Sequence, residues 1–275
     1  MTHDSLIYYG IALMPELPEV ETIVRGIAPR LAGRRILSAE FLSPLVLRHC
    51  ADPDPELLRS RIIRTIERRG KFIVMELDRG SLVIHLGMTG RLLFDTPRTP
   101  YTRAVFTLED GSLVYEDIRQ FGSIEWSSAV PSRVGRLGPE PFEISPEDFS
   151  SAMRRRKAPV KAVLLNQSVI RGMGNIYTDE ALFRAQINPR ARANRLSRTR
   201  AFRLHASVIE VLLDAIEHRG SSVSDYVDAA GLEGGFQLRH QVYGREGEPC
   251  PRCKTAIRRI VVAQRGTHYC PKCQR

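Results

Sequence analysis

The stretch Met14-Pro15-Glu16-Leu17-Pro18-Glu19-Val20-Glu21 holds the residues of this 275-residue chain best suited to covalent chemistry. If translation begins at Met14 and that methionine is trimmed, Pro15 presents a free secondary amine instead of an amide. An α-amino group titrates at only ~7.7–8.0, so a sizeable fraction is neutral and nucleophilic near neutral pH. Attack on a sugar carbon or a carbonyl then gives a Schiff-base-type intermediate. The carboxylate of Glu16, one residue on, can serve as general acid or base. A bare Pro-Glu pair would also suit a turn before a helix. Residues 1–13, MTHDSLIYYGIAL, bear on this choice. They lack the basic start of a secretory signal, and their apolar run is too short to span a membrane. They read as a misassigned start or a tail removed by proteolysis. If they are retained, the Pro15 nitrogen is a tertiary amide with no lone pair for attack.

A second chemical constellation closes the chain. Cys250-Pro-Arg-Cys253 and Cys270-Pro-Lys-Cys273 are separated by sixteen residues, a spacing that signals zinc. Four thiolates make a closed tetrahedral site, so one structural Zn2+ is expected. Between the pairs, 256–262 and 267–269 read as a β-hairpin with Gln264-Arg265-Gly266 as its turn. So short a hairpin needs the metal to hold together. Cys50 stands alone as a half-buried bystander. The absence of a disulfide framework fits a reduced, cytoplasmic setting.

Charge is unevenly divided. Residues 1–150 hold 18 Lys+Arg against 21 Asp+Glu, and residues 151–275 hold 23 against 10, within a chain of formal charge +10. A concentrated basic half is an electrostatic footprint for nucleic acid.

The elements that must position these groups follow from periodicity. Val20, Ile23, Val24, Ile27 and Leu31 share one helical face, with Pro18 in the first turn and Gly33 as the stop. Glu19 suits the positive end of that helix dipole. Runs at 71–77, 81–86, 91–94 and 103–108 read as strands, and Asp110-Gly111 marks a hairpin. Residues 127–145, with three prolines and two glycines, read as a linker. Ser145-Pro146-Glu147-Asp148 starts a helix, which Arg154-Arg155-Arg156-Lys157 closes. A short helix at 160–167 precedes Ile170-Arg171-Gly172-Met173-Gly174-Asn175-Ile176-Tyr177, where a new helix begins at Asn175. Helix-start N–H groups bind phosphate readily. Ser197 to His218 forms a longer helix, followed by a Ser- and Gly-rich loop at 221–235.

From Pro15 to Arg275 these motifs, in this order, resemble the formamidopyrimidine-DNA glycosylase family, the bacterial 8-oxoguanine repair enzymes. The resemblance implies an α+β, two-domain fold. Its parts would be a 1–13 extension, an N-terminal antiparallel β-sandwich with a leading helix (14–126), a linker (127–145), a helix–two-turn–helix domain (146–240) and a zinc hairpin (241–275). It implies Pro15 as nucleophile and Glu16 as acid, with Glu19 positioning the sugar. Lys71 and Arg265 would serve the two elimination steps. Met88, Arg119 and Phe121 would fill the gap left by an extruded nucleotide, a task suited to apolar wedges and a bidentate arginine. Arg156, Lys161 and Asn175 would hold the DNA backbone. In an unknown protein Met88 and Phe121 would equally suit a core, Lys71 a solvated strand edge, and Arg265 a solvated turn.

Three positions depart from the family pattern. Gln120 replaces a second arginine, Tyr101 stands where histidines usually touch DNA, and Ser224 stands where some members carry a base-contacting lysine. The reading is a monomeric bifunctional DNA glycosylase and abasic-site lyase acting on double-stranded DNA with oxidised purines. Two rivals are an endonuclease VIII-like enzyme for oxidised pyrimidines, whose start usually reads Pro-Glu-Gly-Pro, and a catalytically silent DNA-binding paralogue if residues 1–13 persist.

Overall fold

The computed structural model of the chain describes residues 14–223 and 226–275; the expectations that fall on residues 1–13 and on Ser224 lie outside the described residues. Helix α1 (Leu17–Leu31) joins the two halves of the molecule. Its Val20, Ile23, Ile27 and Leu31 belong to the core of the amino-terminal half, whereas Leu17 belongs to the core of the helical half. Each such side chain contributes about 1.5–3 kcal/mol by leaving water. The chain turns out of α1 through Gly33 at φ +83°.

Eight strands follow: β1 (Ile36–Phe41), β2 (Ile63–Arg69), β3 (Phe72–Leu77), β4 (Ser81–His85), β5 (Gly90–Phe94), β6 (Thr102–Leu108), β7 (Gly111–Asp117) and β8 (Ser123–Ser127). They form two four-stranded antiparallel sheets, ordered β1-β6-β7-β5 and β2-β3-β4-β8. Ile73, Met75 and Ile84 from one sheet meet Phe106, Leu113 and Tyr115 from the other in a single core. This is the expected sandwich. The β6–β7 hairpin differs in one detail: Leu108 pairs with Gly111, so Glu109-Asp110 are its loop.

Residues 127–145 are more than a tether. Helix α2 (Ser132–Gly135) carries Val134 onto Val74 and Val83, on the outer face of β3 and β4. Helix α3 (Pro146–Arg154) is capped by Ser145, whose hydroxyl accepts from the Asp148 N–H at 3.0 Å. Helices α4 (Val160–Leu165), α5 (Asn175–Arg184) and α6 (Arg198–Glu217) complete the helical domain around Tyr177, Leu204 and Val208. The carboxyl-terminal hairpin, β9 (Arg258–Val262) and β10 (Arg265–Tyr269), docks on α5, where Phe183 packs with Val242 and Ile257. Its turn is Ala263-Gln264, both at positive φ, so Arg265 is the first residue of β10 and not a turn residue. Primed two-residue turns match strand twist even without glycine. No helix among the described residues is long and apolar enough to cross a membrane.

Candidate active site

A cleft of about 780 Å3 opens where α1, the sandwich, α5 and the hairpin meet; Met14, Glu16, Lys71, His85, Met88, Asn175 and Arg265 are among its lining residues. Pro15 is buried between two of them. Glu16 is 2% exposed and reaches across 160 residues of sequence to the start of α5. There its carboxylate accepts from the N–H groups of Ile176 at 2.8 Å and Tyr177 at 3.4 Å. The unpaired N–H groups and positive end of a helix suit a carboxylate in this place. Burial nevertheless dominates and lifts Glu16 to about 7, with Lys71 opposing the rise and Glu19 adding to it. A carboxyl poised there can donate a proton at neutral pH. Gly174 makes the arrangement possible: a Cβ at that position would sit 2.2 Å from the Glu16 Cδ.

Glu19 lies one helical turn on and is also buried. It accepts from the Glu16 N–H at 2.8 Å, the Ser221 N–H at 2.7 Å and the hydroxyl of Tyr177. Its carboxyl is raised by burial. Burial likewise holds the Tyr177 phenol well above its ordinary range, so it stays protonated and donates. Glu19 thus ties α1 to α5 and to the segment after α6.

Lys71 sits in the turn just before β3, beside Gly70, whose N–H donates to Glu140 at 3.0 Å. Arg68 and Arg171 also pair with Glu140 at 2.8 Å, which fixes the loop that presents Lys71. Enclosure lowers the Lys71 ammonium, and the carboxylates of Glu16 and Glu19 oppose that. His85 was not singled out by sequence, yet it lines the cleft. Burial pushes it down to about 3. Its Nδ1 accepts from the Gly87 N–H at 3.2 Å, so a neutral ring keeps its proton on Nε2.

The loops carrying Met88 and Arg119-Gln120-Phe121 are bound to each other. The buried carboxylate of Asp117 accepts from the Thr89 hydroxyl and from the Gly122 N–H at 2.8 Å, and Thr89 accepts from the Arg119 N–H at 3.0 Å. Met88 is half-buried, whereas Phe121 is 51% exposed, with the Arg119 guanidinium 4.9 Å above its ring. An exposed aromatic capped by an exposed arginine is not core. Gln120, at φ +54°, accepts from the Ser43 hydroxyl at 2.6 Å, so it holds the loop's shape. Tyr101 is 47% exposed at the start of β6 and is not part of the cleft wall.

Two expected phosphate contacts are otherwise engaged. Lys161 is completely buried; its ammonium donates to Asp179 at 2.7 Å and to the Gly266 carbonyl at 3.1 Å. An ion already desolvated and paired would leave a buried carboxylate unpartnered if it turned to a phosphate. Lys161 instead anchors the hairpin over α5, together with Asn175, whose amide donates to the same carbonyl at 3.0 Å. Arg156 uses one nitrogen on the Ala152 carbonyl at 2.7 Å, which caps α3, and keeps the rest of its guanidinium. Arg265 is exposed in the cleft wall.

The four cysteines fit a metal. Their sulfurs all lie within 4.8 Å of one another, with Cys250 to Cys273 at 3.9 Å and Cys253 to Cys270 at 3.5 Å. Tetrahedral zinc with bonds of ~2.3 Å requires sulfur separations of ~3.8 Å. Such a site contributes an apparent ~10–16 kcal/mol to folding of a small metal domain. Chelation is therefore expected to melt the hairpin, withdraw Arg265 and the Gly266 carbonyl, and weaken binding to abasic duplex by about 100-fold or more. Native mass spectrometry should show one zinc per chain. Full affinity in the metal-free protein would refute this role.

Three family models match the chain in order: the formamidopyrimidine-DNA glycosylase N-terminal domain at residues 14–124, the H2TH domain of the same proteins at 137–227, and the zinc finger found in FPG and IleRS at 247–275. A formamidopyrimidine-DNA glycosylase of Solibacter usitatus is 55% identical over 95% of this chain and 100% of its own length. One from Geobacillus kaustophilus is 44% identical with the same coverage. Among solved structures, the Fpg protein of Thermus thermophilus has a TM-score of 0.86 at 42% identity, over 94% of this chain and 98% of that one. Wild-type Lactococcus lactis Fpg, in complex with DNA containing N7-benzyl-Fapy-dG, has a TM-score of 0.88 at 38% identity, over 95% and 100%.

Proposed function

The chain belongs to the formamidopyrimidine-DNA glycosylase family, DNA glycosylases of base-excision repair, and from that premise we propose that it excises oxidised purines through a Pro15 Schiff base and then nicks the strand. The observation that carries this reading is the placement of Glu16. A carboxyl held at about 7 sits next to Pro15 in a cleft that also contains Lys71, Asn175 and Arg265.

In this scheme Met88, Arg119 and Phe121 take the place of the lesion as it swings out. The Pro15 nitrogen bonds to C1′ of the damaged nucleotide. Glu16 delivers its proton to the ring oxygen, the sugar opens and the base departs. The resulting iminium acidifies the C2′ proton. Its transfer to water breaks the C3′–O bond, and the electron pair leaves on the 3′ phosphate, to which Lys71 donates a proton in this scheme. A second elimination at C5′ follows, attended by Arg265. Zinc holds the hairpin and takes no part in these steps. The route requires that Met14 and anything before it be absent from the active form.

Oxidised purines are favoured over pyrimidines by Leu17, where the pyrimidine branch usually has glycine. Leu17 is fully buried in the helical core. Borohydride trapping on duplexes with 8-oxoguanine or thymine glycol tests the choice. The adduct should form at least about tenfold faster with 8-oxoguanine, a preference of roughly 1.4 kcal/mol or more. Faster trapping with thymine glycol would overturn it.

A further inference from the structure

Residues 151–209 hold 13 Lys+Arg and only 2 Asp+Glu. Both acids are buried and already engaged. Asp179 pairs with Lys161 and accepts from the His268 N–H at 2.7 Å, and Glu180 accepts from the N–H groups of Gln241, Val242 and Tyr243. Lys161, Arg171, Arg184 and Arg198 find carboxylate partners, in Asp179, Glu140, Glu210 with Asp214, and Glu147, whereas Arg190, Arg192 and Arg195 have no ion pair among the described residues.

The fold gathers part of that charge into one ridge. The strap 189–195 runs back along 156–160: Ala191 accepts from the Val160 N–H at 2.8 Å, the Ala193 N–H donates to Ala158 at 3.0 Å, and the Asn194 N–H donates to Arg156 at 3.0 Å. This sets Arg190, Arg192 and Arg195 beside the Arg154–Lys157 end of α3. Arg192 donates to the Lys157 carbonyl at 3.1 Å. Arg190 and Arg195 are exposed, and among the described residues neither side chain has a hydrogen-bond or ion-pair partner. Stability does not account for unpaired arginines gathered on one strap, because like charges repel.

The ridge is continuous with the cleft. Helix α4 starts on it at Val160 and ends at Leu165, which lines the cleft wall. At ~1.5 Å per residue this helix spans about 9 Å, roughly three base-pair steps of duplex.

We propose that Arg190, Arg192 and Arg195, with the neighbouring end of α3, form an accessory phosphate track that holds duplex DNA beyond the nucleotides seated in the cleft. This rests on the DNA-binding reading of the cleft and adds a partner surface to it. The track reads backbone charge alone and is indifferent to base sequence. It lengthens the footprint and raises affinity for undamaged flanks, which suits a search along DNA.

The test uses the zinc-loaded protein and a non-reactive abasic-site analogue in two hairpin-closed duplexes. One has arms of about four base pairs and the other of about twelve, on either side of the expected ~3-step reach. The variant is Arg190→Ala with Arg195→Ala. On the long duplex its affinity should fall roughly tenfold at low salt. The exponent of salt dependence should drop by about 1.8, or ~0.9 for each lost phosphate contact. On the short duplex affinity should match the parent. Arg190→Lys with Arg195→Lys should restore the exponent. An unchanged exponent on the long duplex, equal weakening on both duplexes, or no restoration by lysine would each overturn the proposal. The analogue cannot react, so this result stands apart from the excision scheme, which trapping on a reactive lesion tests separately.

Discussion

Protein carrying residues 1–13 is expected to form no borohydride-trapped adduct with abasic duplex, whereas chain beginning at Pro15 should trap readily. Two effects combine. In a Met14–Pro15 peptide the ring nitrogen is an amide whose lone pair is delocalised into the carbonyl, so it cannot attack C1′. Met14 is also 37% exposed within the cleft wall, so its own side chain stands in the cleft that the sugar must enter. Loss of a covalent nucleophile costs roughly four orders of magnitude or more. Pro15→Gly in the processed chain keeps an amine but loses the ring that fixes its direction. It should bind abasic DNA normally and trap less. Intact mass of natively produced protein, paired with the trapping yield of the same sample, decides the matter. A leader-bearing protein that excised lesions at the full rate would require another nucleophile and end this account.

The comparison between sequence and structure separates local from distant information. Pro15-Glu16, the cysteine spacing and the capped start of α3 are local patterns, and each predicts its own element. The anchorage of Glu16 at the start of α5 is invisible in sequence, because it joins residues 160 positions apart. Its only trace is Gly174, where the backbone needs no left-handed conformation. The glycine is required by the approach of the Glu16 carboxylate. Lys161 misleads for the opposite reason. The family resemblance implies a backbone contact, whereas in the fold Val160, Val163 and Leu164 around it form the buried face of α4, and the lysine lies buried with them. The hairpin turn misleads because Ala263-Gln264 offers no glycine, although both residues adopt positive φ. Asp117 lies just before Arg119 and His85 lies at the end of a predicted strand, and neither position advertises its role. Only the folded loops show that one binds the Met88 and Phe121 segments together and that the other lines the cleft.

Gly174→Ala is expected to abolish most base excision while sparing reaction with abasic DNA. The new methyl would lie 2.2 Å from Cδ and 2.5 Å from Oε1 of Glu16, which real side chains do not tolerate. Glu16 is enclosed, so its carboxyl must rotate off the Ile176 N–H and leave that donor buried without a partner. The cost is about 1–3 kcal/mol of stability. Displacing the acid from the sugar should slow excision by roughly 10²–10⁴-fold, the range of general acid catalysis. On an abasic site the base has already gone and the sugar reaches its open aldehyde form unaided, so Pro15 can still trap it at close to the parent rate. The pH dependence separates this from general damage. Excision needs Glu16 protonated, and it titrates at about 7. It also needs the Pro15 amine neutral, and an ordinary α-amino group titrates at ~7.7–8.0. Single-turnover excision by the parent should therefore peak near neutral pH, with Glu16 setting the fall on the alkaline side. A freed Pro15 amine in its charged state would draw that limb lower, because neighbouring titrations couple. In the variant the limb should vanish along with the rate. Gly135→Ala is the control, because a Cβ there meets nothing within 4 Å. If Gly174→Ala retained full excision with an unchanged pH limb, Glu16 would not be the proton donor, and the place it occupies at the head of α5 would be structural alone.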